Sequence, residues 1–419
     1  MDICVSPAVL SGTVNAIPSK SDVHRLLICA FLSGEPLALS MNTLSEDIDT
    51  TLSCLAAAGC KIKRESSLLT ITPPEDPLLP ASLDCRESGS TLRFLIPVMA
   101  ALGCGARTYF SGSGRLPERP IGELLTVLEE HGIVFSSHKL PFCVSGTLSP
   151  GEYRIAGNVS SQYISGLLFA LPLLDAPSEI ILTSPCESEG YIDMTLSAME
   201  RFGVIPTRTP NGFRIDAPVK YVSPGAALPE GDISNAAFFL AAGALGSKVS
   251  VKGIDTHSPQ SDRAVFGLLK DFGADVQTSG HSVCASQLCR KSISADVSGC
   301  PDLLPILAVL AAFGSGTSVF KGAARLRLKE SDRLSACFDM ITSLGGKAVE
   351  AKDSLIVEGT GLKGGTVDCR NDHRLVMAGA IAGAYASGDV ILKGAQAVAK
   401  SYPSFFDDFK ALGGKAYAI

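Results

Sequence analysis

A motif that recurs six times constrains the fold more than any other feature of this chain of 419 residues. In each copy a helix-like segment ends in glycine and continues into a short strand-like segment. These glycines lie 68 to 73 residues apart, at Gly59, Gly132, Gly203, Gly273, Gly345 and Gly413. A fixed period indicates internal duplication, and each glycine suits a helix C-terminus with positive φ. The sequence therefore predicts six related units of about 70 residues, a period longer than that of common solenoids.

A second series of segments repeats in step with the first. Its members begin near Pro18, Glu87, Ser160, Gly231, Cys300 and Asn371. Each opens on polar residues and then carries apolar and small residues on nearly every helical face, which is typical of a buried helix. Alternating segments such as SLLTITP, EIILTS and SKVSVKG predict strands. Three units per domain then give an α/β chain of two pseudo-symmetric halves, with a boundary near Pro229–Asp232.

Composition excludes several classes of protein. With 46% hydrophobic and 19% charged residues the chain is globular. Its net charge of −6 favours neither nucleic acid nor an anionic membrane, so an anionic substrate needs a local cluster of cations. The longest apolar runs have about 12 residues where a membrane span needs about 20, and the N-terminus does not resemble a signal peptide. The 13 cysteines contain no CxxC pair, which favours a reducing, cytoplasmic location without a disulfide framework or a zinc site.

The starts of the predicted buried helices carry the polar residues that break the apolar pattern. A helix N-terminus presents unpaired N–H groups and favours phosphate or carboxylate. Taken singly, a Ser or Asp at such a position is an ordinary N-cap, and an Arg such as Arg25 or Arg93 is a surface residue or an ion-pair partner. Lysine and arginine nevertheless recur at these ends, where the helix dipole disfavours them. We therefore expect an anion site at these helix starts.

The stretch LRLKESDRL poses the same choice. Apolar residues at Leu334, Phe338, Ile341 and Leu344 predict an amphipathic helix that starts near Glu330, with Lys329 and Arg333 at its N-terminus. Glu330 then either pairs with Arg333 as a simple ion pair or belongs to an anion site lined by the two cations.

Eight motifs give the chain a family resemblance. They are PSKSDVHR, ESGSTLRF, ERPIGEL, SSQY, YIDMT, LKESDRL, NDHRLVM and AKSYPSFF, in this order. The chain resembles the EPSP synthase family of 3-phosphoshikimate 1-carboxyvinyltransferases from about Ser11 to Gly414. The resemblance implies an inside-out α/β barrel of six repeated units in two domains, residues 14–229 and residues 1–13 with 230–419, with a cleft between the domains.

The resemblance also implies a reaction. Family members transfer the enolpyruvyl group of phosphoenolpyruvate to the 5-hydroxyl of shikimate 3-phosphate and release phosphate. No metal or organic cofactor, no nucleic acid and no membrane is implied as a partner, and a monomer is expected.

Site residues carry over from the motifs. The expected contacts of shikimate 3-phosphate are Lys20, Ser21, Arg25, Ser160, Ser161, Gln162, Ser188, Asp302 and Lys329. The expected contacts of phosphoenolpyruvate are Lys20, Gly89, Arg119, Gln162, Arg333, Arg374 and Lys400. The expected catalytic residues are Asp302 as the base for the 5-hydroxyl, Glu330 as the acid for the methylene carbon, and Lys20 near the phosphoenolpyruvate.

The chemistry agrees with this set. Phosphoenolpyruvate carries a carboxylate and a phosphate, for which bidentate arginine is the best planar partner. Addition across its double bond removes one proton and delivers another, so the two carboxylates must differ in protonation state. The chain departs from many family members at Glu87, where Asn is common, and at Arg325, where some have Asn. Ser90 and Phe94 follow Gly89 in a loop that shapes the expected phosphoenolpyruvate pocket.

Two other functions are compatible with parts of the sequence. The sister enzyme that acts on UDP-N-acetylglucosamine shares the fold, but it has Lys-Asn where this chain has Lys20-Ser21, and a reactive loop cysteine that GRLPERP lacks. A non-catalytic repeat scaffold would not need the non-repeating Lys20, Arg119, Glu330 and Lys400.

Overall fold

The structure is a computed structural model that describes residues 1–75, 78–79, 81–103 and 107–419. The chain forms two compact units. We call Pro18–Pro229 the middle unit, and Met1–Ile17 with Glu230–Ile419 the terminal unit. The expected boundary between residues 13 and 14 would divide the strand Gly12–Asn15, which pairs along its whole length with Val249–Lys252 of the terminal unit. The strand therefore stays with the terminal unit, and the two units meet in the chain at Ile17 and Pro18.

The described residues contain twelve α-helices, six in each unit. They are α1 Lys20–Ser33, α2 Glu46–Ala57, α3 Gly89–Leu102, α4 Gly122–Glu130, α5 Ser161–Ala170, α6 Glu189–Glu200, α7 Ile233–Leu245, α8 Val265–Phe272, α9 Leu304–Phe313, α10 Arg333–Ser343, α11 His373–Tyr385 and α12 Phe405–Ala411. Short 3₁₀ helices lie at Leu116–Glu118, Leu171–Leu173, Ser261–Ala264, Pro301–Leu303, Ala324–Leu328 and Ala395–Lys400.

The strands of the described residues form six four-stranded sheets, three in each unit. In chain order they are β1 Ile3–Ser6, β2 Gly12–Asn15, β3 Leu37–Ser40, β4 Lys61–Glu65, β5 Leu68–Thr72, β6 Ser82–Asp84, β7 Thr108–Ser111, β8 Ile133–Phe135, β9 Phe142–Gly146, β10 Glu152–Ile155, β11 Ser178–Leu182, β12 Thr207–Thr209, β13 Gly212–Ile215, β14 Ala226–Ala227, β15 Val249–Lys252, β16 Ala274–Ser279, β17 Ser282–Gln287, β18 Ser294–Asp296, β19 Thr317–Lys321, β20 Lys347–Glu350, β21 Ser354–Glu358, β22 Gly365–Asp368, β23 Val390–Lys393 and β24 Lys415–Ala418.

All six sheets share one pairing pattern. An outer strand pairs parallel with the next strand, and two antiparallel pairings complete the sheet, as in the order β10-β11-β13-β12. Three strands, β1, β2 and β14, pair with strands that are far from them in the sequence. β2 precedes α1 but pairs with β15, β14 precedes α7 but pairs with β3, and β1 completes the sheet of β22, β23 and β24. Each compact unit therefore contains three complete repeats, each with one four-stranded sheet.

One helix of each repeat, which we call the inner helix, is buried on nearly every face, as the sequence predicts. The inner helices are α1, α3, α5, α7, α9 and α11. In the terminal unit α7, α9 and α11 pack on one another, and every residue of α9 is buried. In the middle unit α3 packs on both α1 and α5. The six repeat glycines follow helix ends with φ between 77° and 104°. The α/β fold of six repeated units, three in each compact unit, is confirmed.

Two findings concern expectations drawn from composition. Within the described ranges, no helix combines the length and apolar character that crossing a membrane would require. The twelve cysteines that lie in these ranges are free thiols.

Candidate active site

The start of α1 in the middle unit carries Lys20, which is half-buried, and Arg25, which is buried. The Ser19 side chain accepts a hydrogen bond from the Asp22 backbone N–H and so begins the helix. Lys20 Nζ lies 2.7 Å from Asp47 Oδ2 of α2, and both side chains are 15% exposed. Ser21, the other expected contact on this turn, is half-buried. The lysine is thus held by a carboxylate near solvent.

Arg25 is fully enclosed. Its Nε donates to Thr195 Oγ1 at 2.8 Å, and its two terminal nitrogens donate to the carbonyls of Ser21 and Tyr191 at 2.7 Å. Burial lowers the pKa of Arg25 to about 10, although Asp22 opposes this shift. The alternative role as a surface residue is wrong. A buried guanidinium that donates to a hydroxyl and two carbonyls suits an anionic ligand.

The first turn of α3 lies against two arginines. The helix is capped by Ser88, which accepts from the Thr91 backbone N–H. A side chain added at Gly89 would place its Cβ 2.8 Å from Nη1 of both Arg93 and Arg119. Glycine is therefore required for the guanidinium groups to approach the backbone this closely. Two cations therefore lie against the N-terminal turn of a helix, an arrangement that suits an anionic ligand.

Gln162 connects this turn to α5. Ser160 caps α5 by accepting from the Gln162 backbone N–H, and Ser161 is the first helical residue. Gln162 Oε1 accepts from Arg93 Nη1 at 2.7 Å, while its Nε2 donates to Ser90 Oγ at 2.8 Å. The structure thus brings Gln162 next to the turn that contains Gly89.

Ser188 precedes α6 in an unusual backbone conformation. It has φ 59° and ψ 44°, the left-handed region that a residue with a side chain seldom adopts. The residue is buried, with 5% of its surface exposed. Strain of this kind persists where the surroundings demand it, often at functional sites.

In the terminal unit, Asp302 is the centre of a cluster of cations. It lies in the 3₁₀ helix before α9 and does not cap that helix. Asp302 Oδ1 lies 2.7 Å from Arg333 Nη1 and 3.6 Å from Lys329 Nζ, and Oδ2 accepts from Arg374 Nη2 at 3.0 Å. The alternative role of Asp302 as an N-cap is therefore wrong. Burial lowers the pKa of Lys329, with a smaller opposing effect from Asp302.

Arg333 joins three carboxylates. Its side chain is only 1% exposed; Nε donates to Asp372 Oδ2 at 2.9 Å and Nη2 to Glu330 Oε2 at 2.8 Å, besides the bond to Asp302. Burial opposes the charge, but Asp372, Glu330 and Asp302 outweigh it and raise the pKa of Arg333 well above its ordinary value. The ion pair between Glu330 and Arg333, one of the two alternatives drawn from the sequence, is present, and it is one part of a larger network.

Arg374 and Lys400 are the two remaining cations of this unit among the expected site residues. Asp372 caps α11 by accepting from the Arg374 backbone N–H. Burial disfavours the charge of Arg374, but Asp302 and Asp262 raise its pKa above the ordinary value. Among the described residues its Nε and Nη1 have no hydrogen-bond partner. Lys400 Nζ donates to the Asn371 carbonyl at 2.8 Å.

The helix expected near Glu330 begins later. Helix α10 starts at Arg333, because the Asp332 side chain caps it by accepting from the Ser335 backbone N–H. Lys329 and Glu330 lie before the helix, after the 3₁₀ helix Ala324–Leu328. Arg333 thus lies at the helix N-terminus as predicted, whereas Lys329 and Glu330 precede the helix and contact Asp302 and Arg333, respectively.

Three residues of the site were not assigned from the motifs. Asp47 pairs with Lys20, Arg93 contacts Gln162 at the Gly89 turn, and Asp372 receives two hydrogen bonds from Arg333. The arginine at a helix start was a signal for Arg93. Asp47 gave no such signal, since an acidic residue in the first turn of α2 is what a helix dipole favours.

The structure defines an α/β protein of six repeated units in which buried cations lie at the starts of several helices. The EPSP synthase (3-phosphoshikimate 1-carboxyvinyltransferase) family model matches residues 5–409. The 3-phosphoshikimate 1-carboxyvinyltransferase of Clostridium kluyveri is 39% identical over 99% of this chain and 97% of its own length. That of Clostridium novyi is 40% identical over 99% and 98%. The solved structure of EPSP synthase from Acinetobacter baumannii matches this chain with a TM-score of 0.81 at 22% identity, and the match covers 100% of each chain. The chain belongs to the EPSP synthase family.

Proposed function

We propose that this chain transfers the enolpyruvyl group of phosphoenolpyruvate to the 5-hydroxyl of shikimate 3-phosphate and releases phosphate, as a step of the shikimate pathway. The single observation that carries this proposal is the bridge that Arg333 makes between Asp302 and Glu330. Two carboxylates held by one guanidinium supply the base and the acid that the addition requires.

The proposed roles of the terminal unit follow from its contacts. Asp302 takes the proton of the 5-hydroxyl while the oxygen bonds to C2 of phosphoenolpyruvate, and Glu330 delivers a proton to C3. Elimination of phosphate from C2 and loss of a proton from C3 then restore the double bond. Glu330 must be protonated for its step, and Arg333 favours its ionised form, so ligand binding has to displace or reorient that pair.

The proposed anion contacts of the terminal unit are Lys329, Arg333, Arg374 and Lys400. Arg374 supports this assignment most directly. It keeps two donor nitrogens unused among the described residues while it is 4% exposed. A buried cation with unused donors is costly unless a ligand accepts from it.

The middle unit is proposed to bind both substrates as well. Lys20, Ser21, Arg25, Ser160, Ser161 and Ser188 are assigned to shikimate 3-phosphate, and Lys20, Gly89 and Arg119 to phosphoenolpyruvate, with Gln162 reaching both. The contacts of its side chain with Ser90 and Arg93 on one side, and the hydrogen bond from its backbone N–H to Ser160 on the other, support its double role.

Three further expectations remain proposals. We propose that the enzyme works as a cytoplasmic monomer without nucleic acid as a partner. The net charge of −6 supports only the absence of nucleic acid. No metal or organic cofactor is assigned a step.

Phosphate release with purified protein tests the function. We expect release only when phosphoenolpyruvate and shikimate 3-phosphate are both present. Turnover with UDP-N-acetylglucosamine as the acceptor would favour the sister activity instead. Absence of turnover with either acceptor would contradict both and leave the repeat scaffold.

A further inference from the structure

A chain of four buried side chains crosses the middle unit from α1 to α3. His24 Nδ1 lies 2.7 Å from Thr51 Oγ1, Thr51 Oγ1 lies 2.7 Å from Thr91 Oγ1, and Thr91 Oγ1 donates to Ser88 Oγ at 2.7 Å. Each of the four residues is at most 1% exposed. No step of the proposed reaction uses His24, Thr51 or Thr91. The roles assigned to the candidate active site therefore do not explain this chain of hydrogen bonds.

Counting protons gives the chain a direction. A threonine hydroxyl has one hydrogen, and that of Thr91 goes to Ser88. Thr91 can therefore only accept in its contact with Thr51, so the hydrogen of Thr51 goes to Thr91. Thr51 must then accept from His24, which places the imidazole hydrogen on Nδ1. Every bond of the chain donates towards Ser88.

The surroundings of His24 agree with this assignment. Its Nε2 is buried and has no hydrogen-bond partner among the described residues. Burial, with the cations of Lys20 and Arg25, lowers the pKa of His24 well below its ordinary value, so the ring is neutral at neutral pH. A neutral ring with hydrogen on Nδ1 is the form that the chain requires.

The chain ends at the cap of α3. Ser88 accepts both from the Thr91 hydroxyl and from the Thr91 backbone N–H, and it directly precedes Gly89. From the other side, Gln162 donates to Ser90 at 2.8 Å. The first turn of α3 is thus fixed at Ser88 and Ser90, on either side of Gly89, where an added Cβ would lie 2.8 Å from Nη1 of both Arg93 and Arg119.

We propose that His24, Thr51 and Thr91 are positioning residues that orient Ser88 and hold the first turn of α3 for phosphoenolpyruvate. This inference rests on the proposed function. The start of α1 has anchors of its own, in the pair of Lys20 with Asp47 and in the three bonds of Arg25. Breaking this chain of hydrogen bonds should therefore weaken the binding of phosphoenolpyruvate more than the binding of shikimate 3-phosphate.

Thr51→Val removes the central link without changing the shape of the side chain. We expect the KM for phosphoenolpyruvate to rise about tenfold, equivalent to about 1.4 kcal/mol, with the KM for shikimate 3-phosphate within about twofold of wild type. Thr51→Ser restores the hydroxyl and should restore the KM. Thr50→Val is the matched control, because Thr50 is buried on the same helix and its hydroxyl donates only within α2, to the Glu46 carbonyl.

A second pair of variants tests the donor end and covers a folding failure of Thr51→Val. His24→Asn keeps a nitrogen donor near the position of Nδ1, whereas His24→Leu has none. We expect His24→Leu to raise the KM for phosphoenolpyruvate and His24→Asn to resemble wild type, with melting temperatures measured for all variants. An equal KM for phosphoenolpyruvate in Thr51→Val and Thr50→Val would overturn the positioning role. So would a rise in Thr51→Val of the KM for phosphoenolpyruvate together with the KM for shikimate 3-phosphate, if Thr51→Ser does not reverse it. Absence of turnover in wild type would overturn the proposed function itself, and this role with it.

Discussion

Arg333 donates from Nη1 to Asp302 Oδ1 at 2.7 Å, although the arginine is 1% exposed and the aspartate keeps 18% of its side chain exposed. The same guanidinium binds Glu330 and the fully buried Asp372. One cation therefore neutralises part of a carboxylate cluster that burial alone would destabilise. The proposed mechanism and the expected stability of the terminal unit therefore both involve Arg333.

Arg333→Met tests this dependence through stability. The variant leaves Asp372 buried beside Asp302 and Glu330 without the shared cation, so we expect the free energy of unfolding to fall by about 3–5 kcal/mol. Denaturant titration measures the change. Arg327→Met is the control, because Arg327 also binds two carboxylates, Asp332 and Glu350, but has a side chain that is 30% exposed. It should lose about 1 kcal/mol or less; equal losses would show that the buried cluster has no special weight.

Asp302→Asn and Glu330→Gln test the proton transfers. Each replacement keeps the size of the side chain and removes the ability to exchange a proton, so we expect kcat to fall by about 10²- to 10⁴-fold. Binding of shikimate 3-phosphate, measured by calorimetry, should persist for Glu330→Gln. Glu350→Gln is the control, since Glu350 pairs with Arg327 outside the proposed site. A variant with kcat near that of wild type would remove the corresponding role.

Gly89→Ala tests the cation-lined turn of α3. The added Cβ would lie 2.8 Å from Nη1 of both Arg93 and Arg119, so the guanidinium groups must move away. We expect a higher KM for phosphoenolpyruvate, by about tenfold or more, as for the loss of one good contact to a charged group. Gly122→Ala is the matched control at the first residue of α4, where an added Cβ meets no atom within 4 Å. Similar KM values in the two variants would contradict the role of this turn.

Local patterns predicted the repeats well, because each depends on short-range physics. The glycine after each helix needs a positive φ whatever the tertiary structure, and an inner helix needs apolar residues on all faces. The exchange of β2 and β14 between repeats was not predictable in this way. These strands have four and two residues, and their pairing with β15 and β3 is fixed by contacts far along the chain.

The same limit explains what was missed at the site. The motif around Glu330 gave the correct partner, Arg333, but the start of α10 depended on Asp332 acting as the cap. Asp47 and Lys20 are 27 residues apart, and no periodicity connects them. The chain of His24, Thr51 and Thr91 consists of residues that sequence reasoning would assign to an ordinary core.

Asp262 supplies a pH-dependent prediction outside the reaction itself. The residue is 1% exposed and accepts from Ser234 Oγ, and burial, with the nearby charge of Asp302, raises its pKa to about 6. An unfolded aspartate titrates near 4, so between about pH 4 and 6 the folded state binds more protons than the unfolded state. The contribution of Asp262 to stability is therefore complete below pH 4 and is lost as the pH rises through 6. A difference of about two pKa units corresponds to about 2–3 kcal/mol.

Asp262→Asn removes this titration. We expect the variant to gain stability relative to wild type as the pH rises from 4 to 7, measured by denaturant titration at several pH values. Asp296→Asn is the control, because a hydrogen bond from Ser298 lowers the pKa of Asp296. Its carboxylate stabilises the fold above pH 4 and loses that effect only as the pH falls below 4, so the stability difference between Asp296→Asn and wild type should stay nearly constant from pH 4 to 7. A stability difference between Asp262→Asn and wild type that stays constant from pH 4 to 7 would contradict the raised pKa, and with it the electrostatic link between Asp262 and the charged cluster around Arg374.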